Sequence, residues 1–499
     1  MRLLRITYFL SFLLCYSMIL PAQLSLAPSF SSNMVIQRNQ PIAVWGKGVP
    51  NKKVTIVFGK QTAKTAVNAD SSWVTYLKAQ KKSAEPYTLI ARTDQTEIRL
   101  DNILIGDVWL CIGQSNMEWP LSREMHWAEE RKNSNQPLIR FLNPPPAGRY
   151  VYNVSFGDSL LRRLNKDSFY QWNGWQTTTS SLLPDMSAVA YYFAKKVVME
   201  TEVPIGLINL SIGGAPLESF ISPQSLLAHP VFAQKLNGDW RANEYLPVWI
   251  RTRGKQNLDS VVPIYGDGFG PHHAYKPGFA FSSGVQPLRQ HGISGVLVYQ
   301  GESNAEEQVR VNEYGSLFNV LVESYRELWN KKNLPFYWVQ LSSIERPLWP
   351  FFREEQRKLL KEIPFSGMAV TSDVGNRTNV HPTDKQTVGN RLAFWALKQV
   401  YHKKVEVSGP LIKKATFSPD KVILHFSHAR GLITSDGKSP REFSTDGIKE
   451  LPAVIKGRRV IISVTEKPKT IFYGWKSYSE GNLINKQRLP ASTFTVANQ

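Results

Sequence analysis

Five apolar runs, at 108–112, 204–210, 295–300, 336–341 and 367–373, constrain this chain more than any other feature. Each has the length of a strand rather than of a core helix. Their near-continuous hydrophobicity is what strands covered on both faces need. Helical spacing stands between them. Within 187–201 the apolar residues are Val189, Tyr192, Phe193 and Val197. Within 311–331 they are Tyr314, Leu317, Phe318, Leu321, Tyr325 and Leu328. Thr383 with Gln386 reads as a capping box for a last helix to about residue 399. The alternation predicts a three-layer α/β domain around a parallel sheet, over 101–403.

The flanks differ. Residues 24–100 carry short apolar runs (34–36, 42–45, 54–58, 73–77, 87–90) broken by Gly, Pro, Asn and Asp. That spacing predicts a small N-terminal β-sandwich module. Runs at 415–417, 422–426, 460–464 and 470–473 predict a C-terminal β module over 404–499. Residues 235–280, with Trp240, Trp249, Arg251, Arg253, His272 and His273, read as an irregular insertion, a lid or a wall for substrate.

Residues 1–23 read as a signal peptide: Arg2 and Arg5, an apolar run from Ile6 to Leu20, and Pro21-Ala22-Gln23 at the expected cleavage region. That run is too short for a comfortable membrane span, and no later run reaches the length of one. The expectation is an exported protein, periplasmic or secreted, of a bacterium. Its loss would leave Cys111 alone, so no internal disulfide is expected, and Cys111 reads as a small buried hydrophobe. The net charge is +20 with Lys and Arg scattered, not run together. This gives no argument for nucleic acid; it suits a solvated basic surface or one that attracts acidic glycans.

Four stretches at strand ends carry the chemistry. Gly113-Gln-Ser115 follows the first run, and Gly113 allows a tight turn that presents the Ser115 hydroxyl. Gly213-Gly214 follow the second run and bring backbone N–H groups close to a ligand. Gln300 ends the third with an amide, and His381 stands between the fifth run and the last helix. A nucleophile, a base and fixed donors are the parts of acyl transfer. Ser115 is the expected nucleophile and His381 its base. The N–H groups of Ser115 and Gly214, with the Gln300 amide, are the expected oxyanion hole; Gly213 is the substitute for Gly214.

These residues meet a family. The blocks Gly113-Gln-Ser-Asn-Met117, Ser211-Ile-Gly-Gly-Ala-Pro216, Tyr299-Gln-Gly-Glu-Ser-Asn304 and Val380-His-Pro382 resemble those of SGNH hydrolases, and of these the sialate O-acetylesterase family most closely. Phe30 to Arg38 resembles that family's opening; Tyr473-Gly-Trp475, Gly481-Asn-Leu483 and Leu489-Pro-Ala-Ser492 resemble its ending. The resemblance implies an SGNH-type domain and a serine esterase that removes acetyl groups from carbohydrates, with no metal or other cofactor. Sialic acids are the first substrate it implies; xylan or pectin fragments come second. A catalytically silent glycan-binding protein is the alternative of another class, and the pairing of Ser115 with His381 counts against it. The nucleophile elbow of α/β-hydrolases is not matched, because Met117 stands where it needs Gly.

Two departures from the family pattern matter. Gln300 takes the place of the asparagine that helps name these enzymes, and Thr378 stands where the acid of the triad is usual. Asp373 is the carboxylate candidate for the third member. Asp384 reads as a charge favouring the helix dipole. A backbone carbonyl near Thr378 or Asn379 is the uncharged candidate for orienting His381, and is preferred slightly over Asp373.

Overall fold

The computed structural model describes residues 23–498. All but the last residue of the expected signal peptide lies outside them. The organising element is one strand of 17 residues, β1 (Glu97–Gly113). Its first half alternates between exposed and covered positions, and from Ile103 onward every residue is buried. That switch marks a strand that leaves a one-sided sheet and enters one covered on both faces.

The remaining central elements follow in order: β2 (Ile139–Leu142), α1 (Ala188–Thr201), β3 (Ile205–Asn209), α2 (Val248–Leu258), β4 (Gly295–Tyr299), α3 (Gln308–Leu328), β5 (Phe336–Val339), α4 (Trp349–Glu362), β6 (Ser366–Ala369) and α5 (Lys385–Gln399). The central sheet runs β2-β3-β1-β4-β5-β6, and all of these pairings are parallel. The short strand Gln176–Thr177 adds an antiparallel edge beside β2. Successive residues of a strand face opposite sides. Trp109 and Tyr337 meet Phe193 of α1 and Gln399 of α5, whereas Trp338 meets Phe318 of α3 and the Gln356 carbonyl of α4. Helices therefore cover both faces.

The first half of β1 pairs in parallel with Val35–Gln37 and antiparallel with Ser83–Arg92. With Lys53–Phe58 beside the latter and Gln61–Ala66 beyond it, the sheet reaches eleven strands of mixed direction. A second, three-stranded sheet (Ser25–Leu26, Ile42–Lys47, Ser72–Leu77) completes the N-terminal region. The boundary expected at 100/101 falls inside β1. The N-terminal strands share a strand and one continuous core, from Leu24 to Val407, with the α/β part. The C-terminal strands form antiparallel sheets around a core of their own, from Ile412 to Phe494. No helix among the described residues is long and apolar enough to cross a membrane.

Candidate active site

β1 ends against β4. Gly113 has φ +131°, and a Cβ on it would lie 2.0 Å from the Tyr299 carbonyl oxygen. Only glycine allows that approach. The next N–H, of Gln114, donates to the same carbonyl at 2.9 Å, and the chain turns into a single helical turn, Ser115–Glu118. The Ile212 N–H donates to the Gly113 carbonyl at 3.0 Å, which brings the turn after β3 alongside. Ser115 is thus at the carboxyl edge of the sheet, where open α/β sheets present ligands.

His381 arrives from the loop between β6 and α5. Its Nε2 lies 2.7 Å from Ser115 Oγ. The Asn376 side-chain oxygen accepts the N–H groups of Thr378 and Asn379, and Asn379 Oδ1 accepts that of His381 at 2.9 Å. The imidazole stacks on the Trp119 indole, 5.1 Å between centroids and 22° between planes. Burial, then the nearby charges of Lys385 and Arg346, pull its pKa down to about 4. The helix behind it begins later than its sequence signal: Asp384, not Thr383, is the cap, and its carboxylate accepts the Thr387 N–H at 2.9 Å. Asp384 therefore caps the helix from outside rather than lying in its first turn.

Two expected site residues are engaged elsewhere. Both Asp373 oxygens pair with Arg391, each at 2.6 Å, and no hydrogen bond joins Asp373 to His381. Nor does the His381 ring donate to a carbonyl near Thr378 or Asn379; its one hydrogen-bond partner among the described residues is Ser115. Gln300 is buried, and its amide nitrogen lies 2.7 Å from Asn304 Oδ1 and 3.3 Å from Gln114 Oε1. It braces the loop that closes the site, and its donors are not free for an oxyanion. Gly213 turns its N–H toward the Glu118 carboxylate, which is also bound by Arg149 at 2.7 Å. The N–H groups of Ser115 and Gly214 have no acceptor among the described residues. Gly214 has φ +75°, and its carbonyl is fixed by the Ser303 hydroxyl at 2.9 Å.

The 235–280 insertion is more ordered than expected. It contains α2 and a short hairpin at Gly266–Asp267 and Gly270–Pro271, pinned by the buried Trp240, whose indole donates to the Pro271 carbonyl. Trp249 of α2 and Tyr275 close over Gly214: a Cβ there would lie 2.9 Å from the first and 2.6 Å from the second. The segment is a wall of the site. His272 and His273 belong to its packing, with His273 stacked between Phe156 and Trp240. One group among the described residues, Glu124, His126 and Asp384, brings three potential metal-ligand atoms within 4.8 Å of one another. Each already has protein partners: Glu124 binds His126 and Tyr192, and Asp384 binds Thr387.

The comparisons with known proteins converge on the same chemistry. Residues 280–398 match the family model described as a carbohydrate esterase, sialic acid-specific acetylesterase. The human sialate O-acetylesterase is 29% identical over 440 residues, covering 81% of this chain and 76% of the human protein. The mouse protein of that name is 26% identical, covering 80% and 78%. The crystal structure of a carbohydrate acetylesterase from Xanthomonas citri superposes with a TM-score of 0.78 at 28% identity, covering 96% of this chain and all of that one.

Proposed function

We propose that this chain, a carboxylic ester hydrolase similar to the sialate O-acetylesterases, removes O-acetyl groups from carbohydrates by a serine mechanism on an SGNH-type scaffold. The observation that carries the mechanism is the 2.7 Å contact of Ser115 Oγ with His381 Nε2 at the sheet's carboxyl edge. Neutral His381 takes the Ser115 proton as Oγ attacks the acetyl carbonyl. The N–H groups of Ser115 and Gly214, which have no acceptor among the described residues, are the donors for the oxyanion. His381 then gives the proton to the departing sugar hydroxyl, which leaves an acetyl-serine. Water, activated by the same imidazole, releases acetate. With Asp373 held by Arg391, the pair works as a dyad. The indole of Trp119 and the Asn379 bond to the His381 backbone hold the ring where a carboxylate is usual.

Sialic acid acetyl esters are the proposed substrates, and the proposed setting is outside the cytoplasm. The names of the relatives support the first, and the basic, apolar start of the chain supports the second. A panel of acetylated sialosides, acetylated xylan and pectin, scored for released acetate, tests the substrate. Faster turnover of xylan or pectin would overturn the sialate assignment but not the esterase. Ser115→Ala tests the mechanism: kcat should fall by roughly 10⁶-fold with the fold intact. An organophosphonate should label Ser115, as read by mass spectrometry. Full activity in the alanine variant would exclude the serine route.

A further inference from the structure

Beneath the Ser115–His381 pair lies a buried polar group that the mechanism leaves unused. Asn116, next to the nucleophile, donates from Nδ2 to Glu302 Oε1 at 2.5 Å and to the Val380 carbonyl at 2.9 Å. Its Oδ1 accepts from Lys385 Nζ at 2.5 Å. One amide therefore ties the neighbour of Ser115 to the neighbour of His381, to the loop after β4 and to the start of α5.

Lys385 is the member that ordinary packing does not explain. It is fully buried, at 0% exposure. It is the first residue of α5, where the helix dipole disfavours a cation. Among the described residues its side chain makes no ion pair within 4.0 Å and is bonded to Asn116 instead, and lysine is almost never fully buried unless paired. Glu302 is buried as well, and its Oε2 has no hydrogen-bond partner among the described residues. The Lys385 ammonium sits 5.6 Å from the centre of the Trp119 ring and 5.5 Å from that of Tyr299. The Trp119 indole is the one that stacks on His381.

We infer that Lys385 is a positioning residue of the esterase: through Asn116 it sets the Ser115–His381 geometry, and its charge behind the Trp119 indole adds to burial in keeping the His381 ring unprotonated. The inference rests on the proposed ester hydrolysis at Ser115. The charged groups around it are few. His381 faces Lys385 and Arg346; Lys385 faces Glu302, Asp384 and Glu124. Arg346 pairs with Glu306, Asp384 binds Thr387, and Glu124 binds His126 and Tyr192. Burial pulls Lys385 down to about 7, still above the value of about 4 for His381. Lys385 thus carries its charge across the range where His381 titrates. A like charge disfavours protonation of the ring, so removing it raises the histidine pKa. The acid limb of activity then moves to higher pH.

The test is the pH dependence of kcat/KM on 4-nitrophenyl acetate, and of Ser115 labelling by an organophosphonate. Wild type is compared with Lys385→Met, Lys385→Gln and, as a control, Lys398→Met at an exposed position of the same helix. Lys385→Met should move the acid limb up by about one pH unit, the scale of a neighbouring charge. It should also lower the plateau on the order of 10²-fold, the scale of a misplaced catalytic pair. Lys385→Gln retains a donor for Asn116, so it should show the same shift with a smaller plateau loss. The control should move neither. An acid limb that stays in place in a folded Lys385 variant, whatever its plateau, overturns the inference. If both variants fail to fold, NMR titration of wild-type Lys385 and His381 decides: a Lys385 that loses its proton at or below the pH at which the His381 ring does overturns it, and one that titrates well above the ring supports it. Wild-type protein that neither takes the label nor cleaves the ester would instead overturn the esterase reading itself.

Discussion

Asp373 illustrates what residue-level reasoning can and cannot reach. The gathering of Ser115 and His381 at one sheet edge, 2.7 Å apart, was legible because both residues stand just beyond strands. Which carboxylate or amide is free for chemistry was not, because that depends on partners the pattern does not display. Asp373 is held by Arg391, a residue of the following helix, and Gln300 by Asn304 and Gln114. The same limit hid Trp119 and Lys385, whose meaning lies in what they face. Asp373→Asn should therefore keep kcat/KM on an acetyl ester within a few-fold of wild type. It should lower stability by about 1 kcal/mol, because the Asp373 side chain is 37% exposed and solvent screens the pair. Kinetics and a thermal melt read the two effects separately. A loss on the order of 10⁴-fold in kcat from folded protein would make Asp373 the third member of a triad after all.

At the scale of elements, the five apolar runs all became strands, with β3 to β6 each shorter than the run that announced it. Helix α4 was not legible. Its inward face includes Arg353, Glu354, Gln356 and Arg357, all buried, so the apolar period is broken by polar residues. The length of β1 was hidden too, since its two halves follow different burial rules. The packing of α1 on α5 has a signal that only coordinates interpret. Gly389 lies inside α5, and a Cβ on it would lie 2.6 Å from the Val189 carbonyl oxygen and 2.8 Å from the Phe193 nitrogen. In an exposed helix interior, glycine to alanine stabilises by up to about 1 kcal/mol. Here the added methyl meets backbone, which cannot rotate away. Gly389→Ala should instead destabilise by about 1–3 kcal/mol, the range for overpacking. Because α5 carries Lys385 toward the site, kcat should fall with it. A melting temperature that rises would show that the two helices separate freely.

At the scale of the whole molecule, two cores have to be held together, and a buried arginine ties one to the other. Arg353 of α4 is 0% exposed and lies in the layer that carries the site. Its guanidinium donates to the carbonyls of Gly474 at 3.0 Å, Lys476 at 2.5 Å and Ser477 at 3.0 Å, all in the turn after the C-terminal strand Thr470–Tyr473. A planar fork of donors suits several carbonyls converging from one turn, which a lysine could not span. The Ser343 hydroxyl adds a second tie, accepting the Ser479 N–H at 3.2 Å, and the Ile344 N–H reaches the Ser477 carbonyl. Arg353→Met keeps the aliphatic stem and removes the fork. Each buried carbonyl left without a donor costs about 1–3 kcal/mol. The loss falls at the seam rather than in either core, since both apolar clusters keep their contacts. The C-terminal strands should then come loose before the α/β part unfolds. Limited proteolysis should cut first between 404 and 499, and release a fragment that still takes the organophosphonate at Ser115. Melting as one transition at the wild-type temperature, with no early cleavage, would show that the seam holds without Arg353.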